Sequence, residues 1–428
     1  MAIGNTVVYN MQADGSGLNG AGYVENVAYA SQVDYSQQAV AQLSITDGAS
    51  VDGSAVLTSA TGGFTAEMEG NIVCISSGTN DIIGYYEITA YTDTNTVTLD
   101  RDCATGGDMA SAVCKVGGAW NTDESSTYNF FGLSPGTFVS GSKLYIKSGS
   151  YTLTSNLIFQ VSSSTTTPFE IEGYTTSFGD GPTGTDRPII DCGSSYYVDL
   201  RTTYCGLSNV RITGSAMFTY QMGDNCYHYN CSFLNTNATS GYACYISSAG
   251  GTQFYGCEFS ATGSNAYALW CASGFKMLRG CYIHDSVIGI NISSSSDAIV
   301  GCVFDTCGAG VNTGAYGLDS IHNCTFYNCT SGVTITTGAV YSFVNNILHS
   351  NTTAFTQNSG FRYGVCDHNC WYNNGTDRST ANGIARVGPH DITSNPLLTD
   401  PSNGDFSLGS GSPAIGAGAD VNLTGATA

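Results

Sequence analysis

Residues 301–311 read Gly-Cys-Val-Phe-Asp-Thr-Cys-Gly-Ala-Gly-Val, and residues 323–333 read Asn-Cys-Thr-Phe-Tyr-Asn-Cys-Thr-Ser-Gly-Val. The opening of this phrase recurs along the chain. Its second residue falls at Val210, Cys231, Cys257, Cys281, Cys302, Cys324, Asn346 and Cys370, so that successive units are 21 to 26 residues apart. A period of this length is typical of solenoids. Each unit carries short apolar segments broken by Gly, Asn and Ser, which predicts β-strands and not helices.

The phrase also predicts which side chains point inward. In a strand, the second and fourth residues of the phrase lie on one face, and equivalent residues of stacked coils lie about 4.8 Å apart. We therefore predict two internal columns. The first contains Cys231, Cys257, Cys281, Cys302, Cys324 and Cys370, and the second contains Phe233, Phe259, Ile283, Phe304, Phe326, Leu348 and Tyr372.

The seventeen cysteines admit two other interpretations, disulfide bonds or a zinc site. The chain has no Cys-x-x-Cys pair, which is the usual spacing of zinc ligands. Regular spacing favours buried, reduced cysteines that act as small apolar residues. Asn235, Asn328 and Asn374 lie four residues past the reference position and are predicted to bind turn amides in a stacked column.

The body of the chain resembles the pectate-lyase-like superfamily of right-handed β-helices. Lys143-Leu-Tyr-Ile-Lys-Ser-Gly-Ser-Tyr-Thr-Leu is similar to the first coil of many members, and Asn395-Pro-Leu-Leu-Thr-Asp-Pro-Ser-Asn-Gly-Asp-Phe-Ser-Leu is similar to their closing segment. The resemblance implies an all-β fold, a right-handed single-stranded parallel β-helix with a smaller N-terminal β domain. The predicted boundaries are an N-terminal domain at 1–118, a linker at 119–139, the helix at 140–394 and a closing segment at 395–428.

The front of the chain has a different pattern. Tyr85-Tyr-Glu-Ile-Thr-Ala-Tyr, a turn at Asp93-Thr-Asn and Thr96-Val-Thr-Leu predict a β-hairpin. The stretch from Gly84 to Arg101 resembles modules that precede β-helices in structural proteins of tailed phages. That resemblance implies an assembly or anchoring module.

Charge excludes some partners. The chain has 33 acidic and 12 basic residues, a net charge of -21. Nucleic acids and anionic membranes both require clustered Lys and Arg, so neither is an expected partner. The start, Met1-Ala-Ile-Gly-Asn-Thr-Val-Val-Tyr, has no basic segment followed by a long apolar one, so no signal peptide is expected.

Catalytic signatures of enzymes with this fold are not evident. The Arg-x-Pro-x-x-Arg phrase that resemblance to pectate lyases would imply does not occur, nor do the paired Asp and Gly-His-Gly motifs of polygalacturonase-like hydrolases. The candidate acid–base group is His284, Asp305 and His349, which with Tyr327 occupy one outward position on consecutive coils. Tyr282 and Trp371 are predicted to face outward, where they could stack on sugar rings. No metal site and no cofactor are expected.

Three functions remain open at this point. The first is a non-enzymatic phage virion structural protein, as a capsid decoration, head fibre or tail-spike component that contacts host surface glycans. The alternative is a polysaccharide-degrading enzyme, a lyase or a glycoside hydrolase, and a third is a secreted adhesin. For the first, the expected partners are further copies in a homotrimer, other virion proteins and host surface polysaccharide. The expected location is the virion, after synthesis in the host cytoplasm.

Overall fold

The computed structural model describes residues 3–24, 33–121, 138–159, 164–200, 203–222, 224–247, 251–314, 317–336, 340–358, 365–380 and 388–421. These residues form strands, turns and four short 3-10 helices at Tyr35–Gln37, Ala66–Met68, Gly184–Asp186 and Pro401–Asn403. The fold is all-β, with a parallel β-solenoid of about nine turns and a small antiparallel barrel near the N-terminus. The described part of the chain contains no helix with the length and apolar character that a membrane span requires.

The chain divides into two compact units, Met1–Ile212 and Thr213–Ala428. The strands that begin in the first unit are β1 (Val8–Met11), β2 (Leu43–Ser50), β3 (Val56–Thr58), β4 (Ile72–Thr79), β5 (Gly84–Asp93), β6 (Thr96–Leu99), β7 (Met109–Val116), β8 (Lys143–Lys147), β9 (Ser150–Thr152), β10 (Leu157–Phe159), β11 (Phe169–Tyr174), β12 (Ile189–Asp191), β13 (Val198–Leu200), β14 (Cys205–Ser208) and β15 (Arg211–Gly214).

Strands β2 to β7 close into a barrel in the order β2-β3-β6-β5-β4-β7. Strands β5 and β6 pair antiparallel across the predicted turn, which confirms the hairpin expected from the sequence. Apolar side chains fill the interior, among them Leu57, Val73, Tyr86 and Val97, all fully buried. Closure leaves no free sheet edge, so a six-stranded domain with a small core satisfies its backbone groups internally.

Strand β1 does not belong to the barrel. It pairs in parallel with β8, so Val8–Met11 forms part of the solenoid sheet, although the sequence analysis placed this stretch in the N-terminal domain. Trp120 and Phe138, which the sequence placed in a linker, are buried, and both rings contact Tyr9. The rest of the predicted linker, 122–137, lies outside the described residues.

The strands of the second unit are β16 (Phe218–Met222), β17 (Tyr227–Tyr229), β18 (Ser232–Asn235), β19 (Tyr242–Ile246), β20 (Gln253–Tyr255), β21 (Glu258–Ala261), β22 (Tyr267–Cys271), β23 (Met277–Arg279), β24 (Tyr282–His284), β25 (Ile288–Ile292), β26 (Ser296–Val300), β27 (Val303–Asp305), β28 (Ala309–Thr313), β29 (Leu318–His322), β30 (Thr325–Tyr327), β31 (Ser331–Ile335), β32 (Val340–Val344), β33 (Ile347–His349), β34 (Thr353–Gln357), β35 (Val365–Asp367), β36 (Cys370–Tyr372), β37 (Thr376–Thr380), β38 (Leu398–Asp400) and β39 (Asp405–Leu408).

Every third strand of this unit joins the same parallel sheet, so each coil contributes one strand to each of three sheets. The first sheet contains β17, β20 and their successors to β35, the second runs from β16 to β37, and the third runs from β18 to β36. The first residue of the repeated phrase forms the corner between the first and third sheets. Gly301 and Asn323, for example, have φ values of 60° and 55°. Gly and Asn tolerate this left-handed conformation best, which explains their recurrence at that position.

Two inner columns follow the repeat. Cys231, Cys257, Cys281, Cys302 and Cys324 are buried on consecutive coils. The carbonyl of each of these five cysteines accepts a backbone hydrogen bond from the strand that follows in the next coil. The aromatic column pairs Phe233 with Phe259, then Ile283, Phe304, Phe326 and Leu348.

The prediction for the last coil was wrong by one residue. Cys370 pairs with Ile347, Trp371 pairs with Leu348 in the inner column, and Tyr372 pairs with His349 on the outer face. Asn369 therefore takes the inward position in the first column that was assigned to Cys370, and His368, with φ of 56°, takes the corner. The Asn369 side-chain carbonyl accepts the backbone N–H of Asn346 at 2.9 Å, a bond that a thiol makes only weakly.

An asparagine column exists, and it contains Asn374 as predicted, but its other member is Asn351 and not Asn328. Asn374 accepts the backbone N–H of Asn351, and Asn351 accepts that of Cys329, at 2.9 and 3.0 Å. Asn328, in contrast, is exposed and occupies a turn with φ of 52°. In the closing segment, β38 and β39 form an antiparallel hairpin, and residues 422–428 lie outside the described residues.

Candidate functional site

The outer face of the third sheet carries the candidate acid–base residues. His284, Asp305, Tyr327 and His349 are paired in register on consecutive coils, and Tyr372 follows them. Their strands are only three residues long, and the residue after each strand turns the chain; Asp285 and Thr306, for example, have φ values of 49° and 52°. The short strands therefore fix these side chains at one sheet edge.

His284 lies between two carboxylates. Its Nε2 is 3.2 Å from Glu258 Oε1, and its Nδ1 is 2.9 Å from Asp285 Oδ2. Burial opposes protonation of His284, but the hydrogen bonds to Glu258 and Asp285 outweigh it and raise the pKa of the imidazole. Glu258 also accepts a hydrogen bond from the Ser232 hydroxyl. The sequence analysis missed Glu258, because it belongs to the neighbouring outward column and not to that of His284.

Asp305 contacts Tyr282 and not His284. The Tyr282 hydroxyl donates to Asp305 Oδ2 at 2.9 Å, and the Tyr282 ring stacks on the His284 ring with centroids 4.4 Å apart. Burial and the hydrogen bond to Asp305 raise the pKa of Tyr282. The Phe406 ring of the closing hairpin lies 6.2 Å from the Tyr282 ring and 5.7 Å from the Tyr327 ring. Tyr282 is therefore held within a side-chain network, and one face of its ring is covered by His284.

This group could exchange protons, since a histidine between carboxylates can act as an acid or a base. His349, the third candidate, lies two coils beyond Asp305 and stacks between Tyr327 and Tyr372 at 5.3 and 5.2 Å. Burial lowers the pKa of His349, the opposite direction to His284. The structure thus brings His284 together with Glu258 and Asp285, and leaves Asp305 and His349 in other contacts.

Trp371 does not face outward as the sequence predicted. It is 3% exposed and lies in the inner column, and its Nε1 donates to Asp391 Oδ2 at 3.0 Å. The Arg378 guanidinium covers its ring at 3.9 Å from the centroid. Trp371 is therefore a core residue and cannot stack on a sugar.

A groove of about 440 Å³ lies instead on the second sheet. It is lined by Met217, Phe218, Tyr242, Tyr245, Trp270, Ala272 and Ser293. Rings pack in series along it: Phe218 on Tyr245 at 6.0 Å, and Tyr242 against Trp270 at 5.0 Å. Met217 at one end is 61% exposed. An open surface of this kind, lined by aromatic rings with few polar groups, is typical of a ligand site.

The groove results from two outward columns of the second sheet. Phe218, Tyr242 and Tyr267 are paired in one column, and Tyr245 and Trp270 in the other. In later coils the column of Tyr245 and Trp270 becomes polar, and Asn312 donates to Asn291 at 2.8 Å, whereas the other column continues as Ile288 and Ala309. The sequence does contain this signal, as an aromatic residue three positions before another in consecutive units, but strict strand alternation would place such residues on opposite faces.

Comparison with known proteins finds similarity to solved structures at low sequence identity. No known protein family and no curated protein sequence matches the chain. Among solved structures, the pectate lyase Pel9A is 15% identical over 70% of this chain and 90% of that chain, with a TM-score of 0.45. The catalytic domain of a GH87 alpha-1,3-glucanase is 11% identical over 83% and 86%, with a TM-score of 0.34. The Dettilon tailspike protein is 13% identical over 56% and 62%, with a TM-score of 0.29. The neighbours thus include both polysaccharide-degrading enzymes and a phage tailspike, and they do not choose between the two functions.

Proposed function

We propose that this protein is a non-enzymatic structural component of a phage virion that binds a neutral host-surface polysaccharide in the groove of the second sheet. The aromatic groove is the observation that carries the proposal. Sugar rings present apolar C–H faces, and these faces pack on aromatic side chains while the hydroxyl groups remain hydrated or bind polar neighbours. Asn291, Asn312 and Thr334, which continue the column of Tyr245 and Trp270, can supply such polar contacts.

Charge selects the class of glycan. The chain carries a net charge of -21, which repels uronate-rich or sulfated polymers. A neutral polysaccharide meets no such repulsion. The repeating coils, about 4.8 Å apart, also offer similar positions in series, which suits a polymer better than a single small molecule.

The lining of the groove supports binding without cleavage. Glycoside hydrolysis by the common mechanism needs two carboxyl groups on opposite sides of the scissile bond. The seven lining residues include no Asp, Glu or His. The His284 group, which does contain carboxylates, belongs to the third sheet and not to the groove.

The virion assignment rests on the N-terminal barrel, in which the stretch from Gly84 to Arg101 resembles modules of tailed-phage structural proteins. In this proposal the barrel of β2 to β7 docks onto other virion proteins, and the solenoid presents the groove to the host surface. Self-association as a homotrimer is part of the proposal. Light scattering of the purified chain and immunolabelling of virions measure these two features; a monomer absent from virions would contradict them.

Binding is tested with a panel of neutral and anionic capsular and cell-wall polysaccharides in affinity gel electrophoresis. Trp270→Ala is expected to weaken binding of a neutral polymer by about fivefold, since an aromatic contact contributes roughly 1 kcal/mol. The matched control is Tyr255→Ala, because Tyr255 stacks on Tyr229 on the outer face of the first sheet, away from the groove lining. Equal loss in both variants, or retention of anionic polymers only, would contradict the proposal.

The second candidate function is glycan cleavage at the His284 group, and the specific observation that favours it is the pair of carboxylates on one imidazole. The same polysaccharide panel is assayed for new reducing ends and unsaturated products. We expect none. Activity that disappears in His284→Ala or Glu258→Gln, but persists in Trp270→Ala, would establish the enzyme function and overturn the non-enzymatic one.

A further inference from the structure

Three metal-ligating side chains meet where the first sheet ends. Asp367 is the last residue of β35, and His368 follows it at the corner with φ of 56°. His390 belongs to the loop at 388–394, called the closing loop here, and lies 23 residues after Asp367. The donor atoms of the three residues all lie within 4.8 Å of one another. Nothing in the local sequence suggests this, because Asp367 and His390 are brought together only by the winding of the coil.

The Asp367 carboxylate is oriented by the backbone. Its Oδ1 accepts the N–H groups of His368 and His390 at 2.8 and 2.9 Å. This leaves Oδ2 facing both imidazoles, 2.8 Å from His390 Nδ1 and 3.5 Å from His368 Nδ1. The two imidazole rings stack with their centroids 4.5 Å apart. Gly388 permits this approach, since a Cβ there would lie 2.5 Å from Asp367 Oδ1.

The closing loop is fixed independently of these three residues. The Asp391 side chain is 1% exposed and accepts hydrogen bonds from Gly388 N, Trp371 Nε1 and the Arg378 guanidinium. Ile392 forms a parallel bridge with Cys370. His390 is therefore anchored on both sides in the chain while its ring stays accessible, with 62% of the side chain exposed.

We propose that Asp367, His368 and His390 bind a divalent transition-metal ion, with Zn²⁺ as the best fit. Two imidazole nitrogens and one carboxylate oxygen are a common set of ligands for such ions. Donors bound tetrahedrally at about 2.05 Å lie about 3.3 Å apart, and the observed separations of 2.8 and 3.5 Å bracket that value. The ion takes the place of the proton shared by Asp367 and His390. Water occupies its remaining position, because His390 is exposed.

The site joins the last coil to the loop that closes the solenoid. A metal bound there stabilises the folded form over one in which the loop has detached, because the ligands come together only in the folded form. The ion thus acts as a clamp on the end of the solenoid, separate from the proposed glycan groove.

The test uses the full chain after dialysis against a chelator. Isothermal titration with Zn²⁺ is expected to give one ion per chain, with far weaker binding of Mg²⁺ and Ca²⁺, which prefer oxygen ligands. His390→Ala and His368→Asn are expected to weaken Zn²⁺ binding by more than about tenfold. Asn suits the left-handed backbone at position 368, so that variant keeps the corner intact. The controls are His349→Asn and His284→Asn, which remove imidazoles elsewhere on the solenoid.

A second measurement does not depend on the folding of any variant. Co²⁺ added to the unmodified chain is expected to give visible absorption bands that Zn²⁺ displaces, and Zn²⁺ is expected to raise the melting temperature. Absence of binding, equal binding in all four variants, loss confined to His284→Asn, or equal affinity for Mg²⁺ and Zn²⁺ would each overturn the proposal.

Discussion

Replacement of Asn346 tests the first inner column, in which Asn346 follows Cys324 and precedes Asn369. Asn346 is fully buried. Its Oδ1 accepts the backbone N–H of Cys324 at 3.0 Å, and its Nδ2 donates to the Ile321 carbonyl at 3.0 Å. Asn346→Ala removes the acceptor for a buried N–H, which costs about 1 to 3 kcal/mol, and the two hydrogen bonds that Nδ2 donates to the Ile321 carbonyl and to Asn369 Oδ1, worth about 1 kcal/mol each. We expect the free energy of unfolding to fall by about 3 to 5 kcal/mol.

Asn346→Cys is the matched control, because the preceding coils carry Cys at this position. Cys302 Sγ lies 3.6 Å from the Leu278 carbonyl, and Cys324 Sγ lies 3.6 Å from the Ile299 carbonyl. A thiol at 346 can therefore replace the bond to the Ile321 carbonyl weakly and fill part of the space, and we expect a smaller loss of about 1 to 3 kcal/mol. Reversible urea unfolding followed by far-UV circular dichroism measures both variants. An alanine variant as stable as the native chain, or more stable than the cysteine variant, would refute the assignment of this column.

Further predictions concern other buried groups. The seventeen cysteines all lie within the described residues and none of them forms a disulfide bond, so the denatured, unreduced chain should titrate seventeen thiols. Extensive oxidation would contradict the columns. Burial lowers the pKa of His228 to about 4. The unfolded imidazole binds a proton near pH 6.5, so stability should fall by about 3 kcal/mol between about pH 6.5 and 4, and fall less in His228→Gln. Folding raises the pKa of His284, so its effect on stability has the opposite pH dependence. The stabilisation is present below about pH 6.5 and is lost as the pH rises through the pKa of the folded state. His284→Asn should therefore lose more stability at about pH 5.5 than at about pH 8.5 in urea titrations. Asp391→Ala leaves Arg378 buried without its carboxylate, and should cost about 3 to 5 kcal/mol by the same assay, whereas a near-neutral change would show that the pair is solvated.

The repeated phrase was sufficient to predict the solenoid and most of its inner columns. It fixes both the inward residue that follows the corner and the apolar residue two positions later, so the register is unambiguous from Cys231 to Cys324. The register became ambiguous at Asn369-Cys-Trp-Tyr, where either Asn369 or Cys370 could occupy that inward position. In the structure Asn369 occupies it, because Asn369 forms hydrogen bonds with Asn346 and because this register buries Trp371 in the core.

The aromatic groove was missed because the strands of the second sheet do not alternate strictly. Ala243 and Cys244 are both buried, so Tyr242 and Tyr245 both face outward, and the same pattern recurs along the sheet. Two adjacent inward residues bend the strand, and the first of the two must be small. A Cβ at Gly310 would lie 2.6 Å from the Gly332 carbonyl oxygen of the next coil. The alternation of apolar and polar residues in the sequence cannot show such a bend. The pairing between β1 and β8 could not be predicted either, because 135 residues separate the paired positions.

Fluorescence of Trp270 tests the central claim, that the groove binds a neutral glycan, most directly. Of the three tryptophans, Trp120 and Trp371 are 1% and 3% exposed, whereas Trp270 lines the groove and is partly exposed. Titration with a neutral host polysaccharide is expected to give a saturable change in emission and protection from acrylamide quenching, and Trp270→Phe should abolish both. Unchanged emission with every neutral polysaccharide of the host surface, or an equal change in Trp270→Phe, would contradict the claim.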